Sequence, residues 1–259
     1  MKKDAKSIKY IFITGGTGKI GSKLIQNLVE EGYFVIFSSR SEEKVIEIEK
    51  LYNTKKCKKV FGLTIDLESE NIKSELLSFF TRKNIFPDVL INNARNLSYL
   101  KIENSGITSC DNWIGEFKLA VIIPYQLSMI LSSSEKKRIK RVINIASMYG
   151  VVAPNINLYN DYKSQSPINY GVCKSAMIHL TKELAVRLAE KNILVNSISY
   201  GGVEGRVGED FLNRYKKLSP QGRMLKENEL FSPIRFLLSE DNTSMTGHNI
   251  NYDGGWTIW

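Results

Sequence analysis

Histidine is nearly missing from this chain: His179 and His248 are the only two. A Ser-His-Asp hydrolase centre or a histidine-built metal site is thereby all but excluded, and no metal is expected. Cysteine is scarce as well. Cys57, Cys110 and Cys173 show no paired spacing, which argues against a disulfide framework or a zinc site and fits a reducing compartment. No uncharged apolar run has the length of a membrane span, and the charged residues 1–9 lack the apolar core of a signal peptide. A cytoplasmic protein with no membrane partner is expected. No repeat, linker or break in composition divides the 259 residues. One domain over 1–259 is therefore expected, long enough for a well-buried core.

Acidic residues are the minority, 27 against 36 Lys and Arg, for a net charge of +9. That excess favours anionic ligands. The basic residues are spread, with local clusters at 1–9, 55–59 and 136–141, and no nucleic-acid motif accompanies them. They read as solvated loops and helix ends, and no nucleic-acid partner is expected.

What the chain does have is alternation. Residues 10–13 form a short apolar run, as in a buried parallel strand, and lead into Thr14-Gly15-Gly16-Thr17-Gly18-Lys19-Ile20-Gly21. A helix follows through Leu24, Ile25 and Leu28 to Gly32. Strand, glycine turn and helix make a phosphate-binding opening: the turn admits a pyrophosphate and the helix start offers free N–H groups. The second strand, 33–37, ends in Ser38-Ser39-Arg40. An acid at this tip suits a ribose 2′-hydroxyl, whereas Arg40 suits a 2′-phosphate, so NADP is favoured with NAD left open. Helix 42–52, strand 59–64, Asp66-Leu67, helix 72–80, strand 89–91 with Asn93-Ala94 at its end, helix 113–131 and strand 141–146 come next. Ser147 stands at that strand's tip. Residues 148–166 read as polar loop, then a helix from Tyr170, strand 194–199, Gly201-Gly202-Val203, a short helical pattern at 211–215, helix 230–238 and strand 249–252. Strands alternating with helices predict an α/β fold, Rossmann-like and doubly wound around one parallel sheet.

Tyr170 and Lys174 are four apart in that helical pattern, so phenol and ammonium share a face. A free phenol ionises near pH 10 and is a poor base at pH 7. Lowering such a value by ~3 units takes ~4 kcal/mol, about what one positive charge at ~4 Å supplies in an effective dielectric of ~20. The pair is a candidate for proton transfer.

With these elements in order, the sequence resembles the short-chain dehydrogenase/reductase family, from Tyr10 to the C-terminus. Gly15, Thr17, Gly18, Lys19, Ile20 and Gly21 resemble its cofactor turn, and Asp66-Leu67 its adenine contact. Asn92-Asn93-Ala94 resembles its Asn-Asn-Ala-Gly element, and Asp253-Gly254-Gly255-Trp256 its C-terminus. The resemblance implies a seven-stranded sheet in the order 3-2-1-4-5-6-7. It also implies a nicotinamide dinucleotide touching Asn93, Ala94, Tyr170, Lys174, Gly201, Gly202 and Val203 in addition to the turn and Arg40. By the same resemblance Tyr170 exchanges the substrate proton, Lys174 stabilises the phenolate and binds the nicotinamide ribose, and Ser147 hydrogen-bonds the reacting oxygen. Homodimers or homotetramers are implied, built on the helices after strands four and five. The interval from Ser147 to Tyr170 is similar to oxidoreductases of bacterial surface-carbohydrate and flagellin modification.

Four positions depart from the family pattern. Lys19 replaces a turn glycine, Arg95 the glycine after Asn-Asn-Ala, Tyr200 the proline before Gly201, and Ala120 the helix asparagine of the catalytic tetrad. The expected activity is hydride transfer between NADP and a small polar alcohol or ketone, such as a sugar derivative. The alternatives are a 3-oxoacyl-thioester reductase and a non-catalytic dinucleotide-binding partner. A substrate lid at about 203–225 is expected to join the 148–166 segment. Together they would offer Asn155, Asn157, Tyr159, Asn160, Tyr162, Arg206, Arg214, Tyr215 and Arg223 to a hydroxylated, anionic substrate.

Overall fold

The computed structural model describes residues 8–134, 139–205 and 207–259. Arg206 and parts of two basic clusters, residues 1–7 and 136–138, lie outside the described residues. Seven parallel strands form one sheet in the order β3-β2-β1-β4-β5-β6-β7. They are β1 (Tyr10–Ile13), β2 (Phe34–Ser39), β3 (Val60–Thr64), β4 (Val89–Asn92), β5 (Arg141–Ile145), β6 (Leu194–Tyr200) and β7 (Asn249–Tyr252). The helices are α1 (Lys19–Glu30), α2 (Glu42–Tyr52), α3 (Ile72–Lys83), α4 (Cys110–Phe117), α5 (Ile123–Ser132), α6 (Tyr162–Gln165), α7 (Ile168–Arg187), α8 (Glu209–Leu218) and α9 (Phe231–Leu238).

Strand residues alternate between two cores, as a pleat dictates. Ile11, Ile13, Val35, Phe37, Val89 and Ile91 face one way, with Leu24, Ile25 and Leu28 of α1 and Ile234 of α9. Phe12, Ile36, Leu90 and Val142 face the other, with Leu76 and Phe80 of α3, Leu127 of α5 and Leu184 of α7. Each such buried side chain contributes about 1.5–3 kcal/mol. A third cluster, Met148, Leu158, Tyr215, Met224 and Trp256, lies beneath the segments after β5 and β6.

A π-helical turn, Lys118–Ile122, joins α4 to α5. The run Cys110–Ser132 is the one stretch among the described residues long and apolar enough to span a membrane, and half of that window is buried inside the fold.

The strand order sets where the site forms. β1 pairs with both β2 and β4, so the chain leaves β1 in opposite directions and a crevice opens at the C-terminal strand ends.

Candidate active site

A cavity of about 640 Å³ occupies that crevice. At its centre is the turn between β1 and α1. Gly15 has φ +67°, a left-handed conformation that favours glycine. A Cβ at Gly21 would stand 2.3 Å from the Gly15 carbonyl oxygen, so only glycine lets α1 start this close to the turn. Gly18 caps α1 without a side-chain hydrogen bond, leaving the helix N–H groups to the cavity. Asn93 fixes the turn from β4: its Nδ2 donates to the carbonyls of Thr14 at 3.0 Å and Gly15 at 3.2 Å. Thr14 Oγ1 in return accepts from the N–H groups of Asn93 and Ala94.

At one end of the cavity the tip of β2 supplies Ser39 and Arg40, followed by Ser41 and Lys44 of α2. Thr17 Oγ1 and Ser39 Oγ are 2.9 Å apart. After β3, the neighbour of β2, the lining continues with Asp66, whose Oδ1 accepts from Glu68 N–H, and Leu67. Two cations and three hydroxyls, with a glycine turn and an open helix start beside them, fit the anionic groups of a dinucleotide.

At the other end β5 and α7 bring Ser147, Tyr170 and Lys174 to the same cavity. Ser147 Oγ accepts from Tyr149 N–H at 3.2 Å, which leaves its O–H free to donate. Lys174 is buried and donates to the Ile145 carbonyl at 2.7 Å, with its Nζ 5.9 Å from the Tyr170 ring centroid. Burial lowers its pKa, partly offset by Tyr170 and Glu116. All the cofactor-turn residues expected from the sequence, save Gly21 within α1, line the cavity, as do Gly201, Gly202 and Val203.

Three of the four departures make visible contacts. Lys19 donates to the Glu204 carbonyl and lies 3.3 Å from Glu227, tying the turn to the segment after β6. Tyr200 is buried and donates to the Leu230 carbonyl at the head of α9. The Arg95 guanidinium stacks 4.6 Å from the centroid of the Tyr170 ring. Ala120 is buried in the π turn.

The expected substrate lining is a correction. None of its described members lines the cavity. Asn155 accepts from Asn157 N–H to cap a short helical turn, and Arg214 Nε donates to the Leu158 carbonyl at 2.8 Å. Arg223 forms a forked ion pair with Glu229. Tyr215 is 1% exposed, stacks on Trp256 at 4.4 Å and accepts from Gly202 N–H at 3.0 Å. Tyr159 donates to the hydroxyl of Tyr149 at 2.8 Å. These polar groups satisfy the protein itself, and Asn157, Asn160 and Tyr162 stay at the surface. Residues that do line the cavity beside Ser147, and that sequence reasoning missed, are Met148 and Tyr149. Burial raises the Tyr149 pKa well above the usual phenol range.

Residues 17–257 match the family described as Enoyl-(Acyl carrier protein) reductase. Among curated relatives, the chain is 25% identical to Post-translational flagellin modification protein A of Campylobacter coli, over 96% of this chain and 98% of that one. It is 29% identical to the 3-oxoacyl-(acyl-carrier-protein) reductase FabG of Buchnera aphidicola subsp. Schizaphis graminum, over 95% and 96%. Among solved structures, a short chain dehydrogenase of Leptospira borgpetersenii with bound NAD+ superposes with a TM-score of 0.83 at 28% identity, covering 98% of this chain and 95% of that one. The sheet order, the glycine turn and a match spanning nearly the whole chain agree: this protein belongs to the short-chain dehydrogenase/reductase family, oxidoreductases that act on CH–OH and C=O groups with a nicotinamide dinucleotide.

Proposed function

We propose that the protein is an NADP-preferring oxidoreductase acting on a small polar alcohol or ketone that bears negative charge, such as a phosphorylated or carboxylated sugar derivative. The observation that carries this reading is the placing of cations at both ends of one cavity: Arg40 and Lys44 beside the β2 tip, and Arg95 over Tyr170. The likeness to a flagellin modification protein supports a role in surface-glycan chemistry.

In this reading the dinucleotide, when bound, supplies or accepts the hydride. Arg40, Ser41 and Lys44 hold its 2′-phosphate, and the open start of α1 holds its pyrophosphate. Ser147 donates its O–H to the reacting oxygen. Tyr170 gives that oxygen a proton in reduction and removes one in oxidation, while the Lys174 ammonium favours the phenolate. Arg95, exposed at the cavity wall, pairs with an anionic group next to the reacting carbon. The protein acts in the cytoplasm as a homo-oligomer. Exposed Ile114, Phe117, Ile122 and Tyr125 along α4 and α5, with Ile168 and Val172 on α7, support an interface there.

Fluorescence titration with NADPH and NADH tests the cofactor. NADPH should bind about 10-fold tighter or better, and Arg40→Asp should reverse the order. The substrate class is tested by kcat/KM for phosphorylated sugars, neutral polyols and acyl-thioesters. Tighter NADH binding by the unmutated protein would end the NADP assignment. A preference for long-chain acyl-thioesters would favour the thioester reductase instead.

A further inference from the structure

Lys19 is the first residue of α1, and no acidic residue stands in that helix's first turn. A cation there opposes the helix dipole, whose positive end the open N–H groups already form. Its charge is answered from elsewhere in the chain. The ammonium donates to the Glu204 carbonyl and lies 3.3 Å from the Glu227 carboxylate. The two partners belong to stretches of chain that are fastened together. Val203 bridges to Leu225 in parallel, Glu204 N–H donates to the Leu225 carbonyl at 3.0 Å, and Leu225 N–H donates to the Gly202 carbonyl at 2.8 Å. Glu227 follows two residues on and opens the short turn that leads into α9. Gly205 leaves room for the ammonium: its φ is +94°, and a Cβ there would stand 3.0 Å from Lys19 Nζ.

The two contacts differ in kind. The Lys19 side chain is 15% exposed and that of Glu227 is 50% exposed, so the ion pair reaches into water. A pair that exposed is weak and is screened by salt. Lys19 also lines the dinucleotide cavity with Gly15, Thr17 and Gly18, next to the open helix start. A pyrophosphate at that start brings two negative charges to the helix N–H groups and the ammonium together. Glu227 offers one charge, half in water. An ammonium has three N–H groups, so Lys19 can keep the Glu204 carbonyl while it changes its anion. We propose that Lys19 is a latch worked by the cofactor. In the protein without cofactor Glu227 holds the ammonium; in the complex the pyrophosphate takes it over, and the Glu204 carbonyl keeps its hydrogen bond throughout. Glu227 therefore competes with the cofactor for one cation. The inference rests on the family's dinucleotide in this cavity and is the same for NADP and NAD.

The test is a double-mutant cycle read by fluorescence titration with NADPH and NADH at low and high salt. Lys19→Met should weaken both dinucleotides about 10-fold and flatten the salt dependence of Kd. Glu227→Gln should do the reverse and tighten both about 3-fold, because the competitor is gone. In the double variant that gain should vanish and leave the Kd of Lys19→Met. A second readout follows the carboxylate itself. Carbon-13 NMR of glutamate-labelled protein should contain one carboxyl signal, missing in Glu227→Gln, that shifts when NADPH is added to the unmutated protein and stays still in Lys19→Met. Unchanged or weaker dinucleotide binding in Glu227→Gln overturns the latch, since the ion pair would then be idle or a fixed strut. So does an unchanged Kd in Lys19→Met, or a Glu227 signal that ignores NADPH in the unmutated protein. Tighter binding of NADH than NADPH would end the NADP preference and leave the latch standing. Binding of neither dinucleotide to the unmutated protein would remove the cofactor and the latch together.

Discussion

Two regions of the molecule share a composition and differ in use. The turn at 14–21 and the segments after β5 and β6 all hold glycines, hydroxyls and cations, and all follow strand tips. In the turn, backbone geometry leaves polar groups unspent: Gly18 caps α1 with no side chain, and Gly15 and Gly21 keep the chain low. In the segments the polar groups are consumed. Asn155 and Asp161 cap short helices, Arg214 binds the Leu158 carbonyl, and Tyr215 binds Gly202 N–H. Polarity in a loop therefore signals a ligand only where the local backbone cannot satisfy it.

The largest expected effect falls at the substrate end of the cavity. Tyr170→Phe should cut kcat by roughly 10²–10⁴-fold while leaving cofactor Kd near its original value, measured by steady-state kinetics and fluorescence titration. Gly21→Ala attacks the turn. Its Cβ would meet the Gly15 carbonyl oxygen and Gly16 Cα, both backbone, so α1 must move away. A loss of about 1–3 kcal/mol in urea unfolding is expected, with cofactor affinity reduced at least about 10-fold. Wild-type affinity in that variant would show that the turn tolerates a side chain, and the contrast between the regions would weaken.

Tyr215→Phe probes the segments. It should cost about 1–2 kcal/mol by leaving Gly202 N–H unpaired, and Tm should fall with little change in KM. A KM change larger than the Tm effect explains would return Tyr215 to the substrate site. The smallest effect belongs to Arg223→Met. The Arg223 hydrogen bonds hold the Glu229 carboxyl down at about 2, below its ordinary 4.5. A depressed carboxyl adds stability above its unfolded value. The Tm gap between wild type and Arg223→Met should thus be full at neutral pH, narrow as pH falls below 4.5 and close near 2. Turnover should not change.

Much of this was legible from residues alone. Helix α2 and strand β7 run where charge and apolar pattern put them, because Ser41 accepts from Lys44 N–H and Asn53 ends the helix. Helix α4 begins at Cys110 rather than Trp113, because the Ser109 side chain caps it by accepting from Asn112 N–H, and α8 extends to Glu209–Leu218 because acidic residues fill its first turn. The π turn has no sequence signature. That the turn and the strand-end residues meet in one cavity was readable because glycine spacing and strand ends are local facts. Glu116 and the stacking of Arg95 on Tyr170 were not, since burial and ring contact arise only when α4, α7 and the segment after β4 pack together.

Strand order has a consequence for folding. Ile13 lies beside Ile91, and the cavity wall runs from Gly15 to Val203. Nothing made early in synthesis completes the cavity, because its last wall, at Gly201 to Val203, follows Gly15 by nearly two hundred residues of chain. Such long-range pairing slows folding. It also means that a bound dinucleotide recognises only the finished molecule, so added cofactor should protect the native state by mass action and give no refuge to half-made chains.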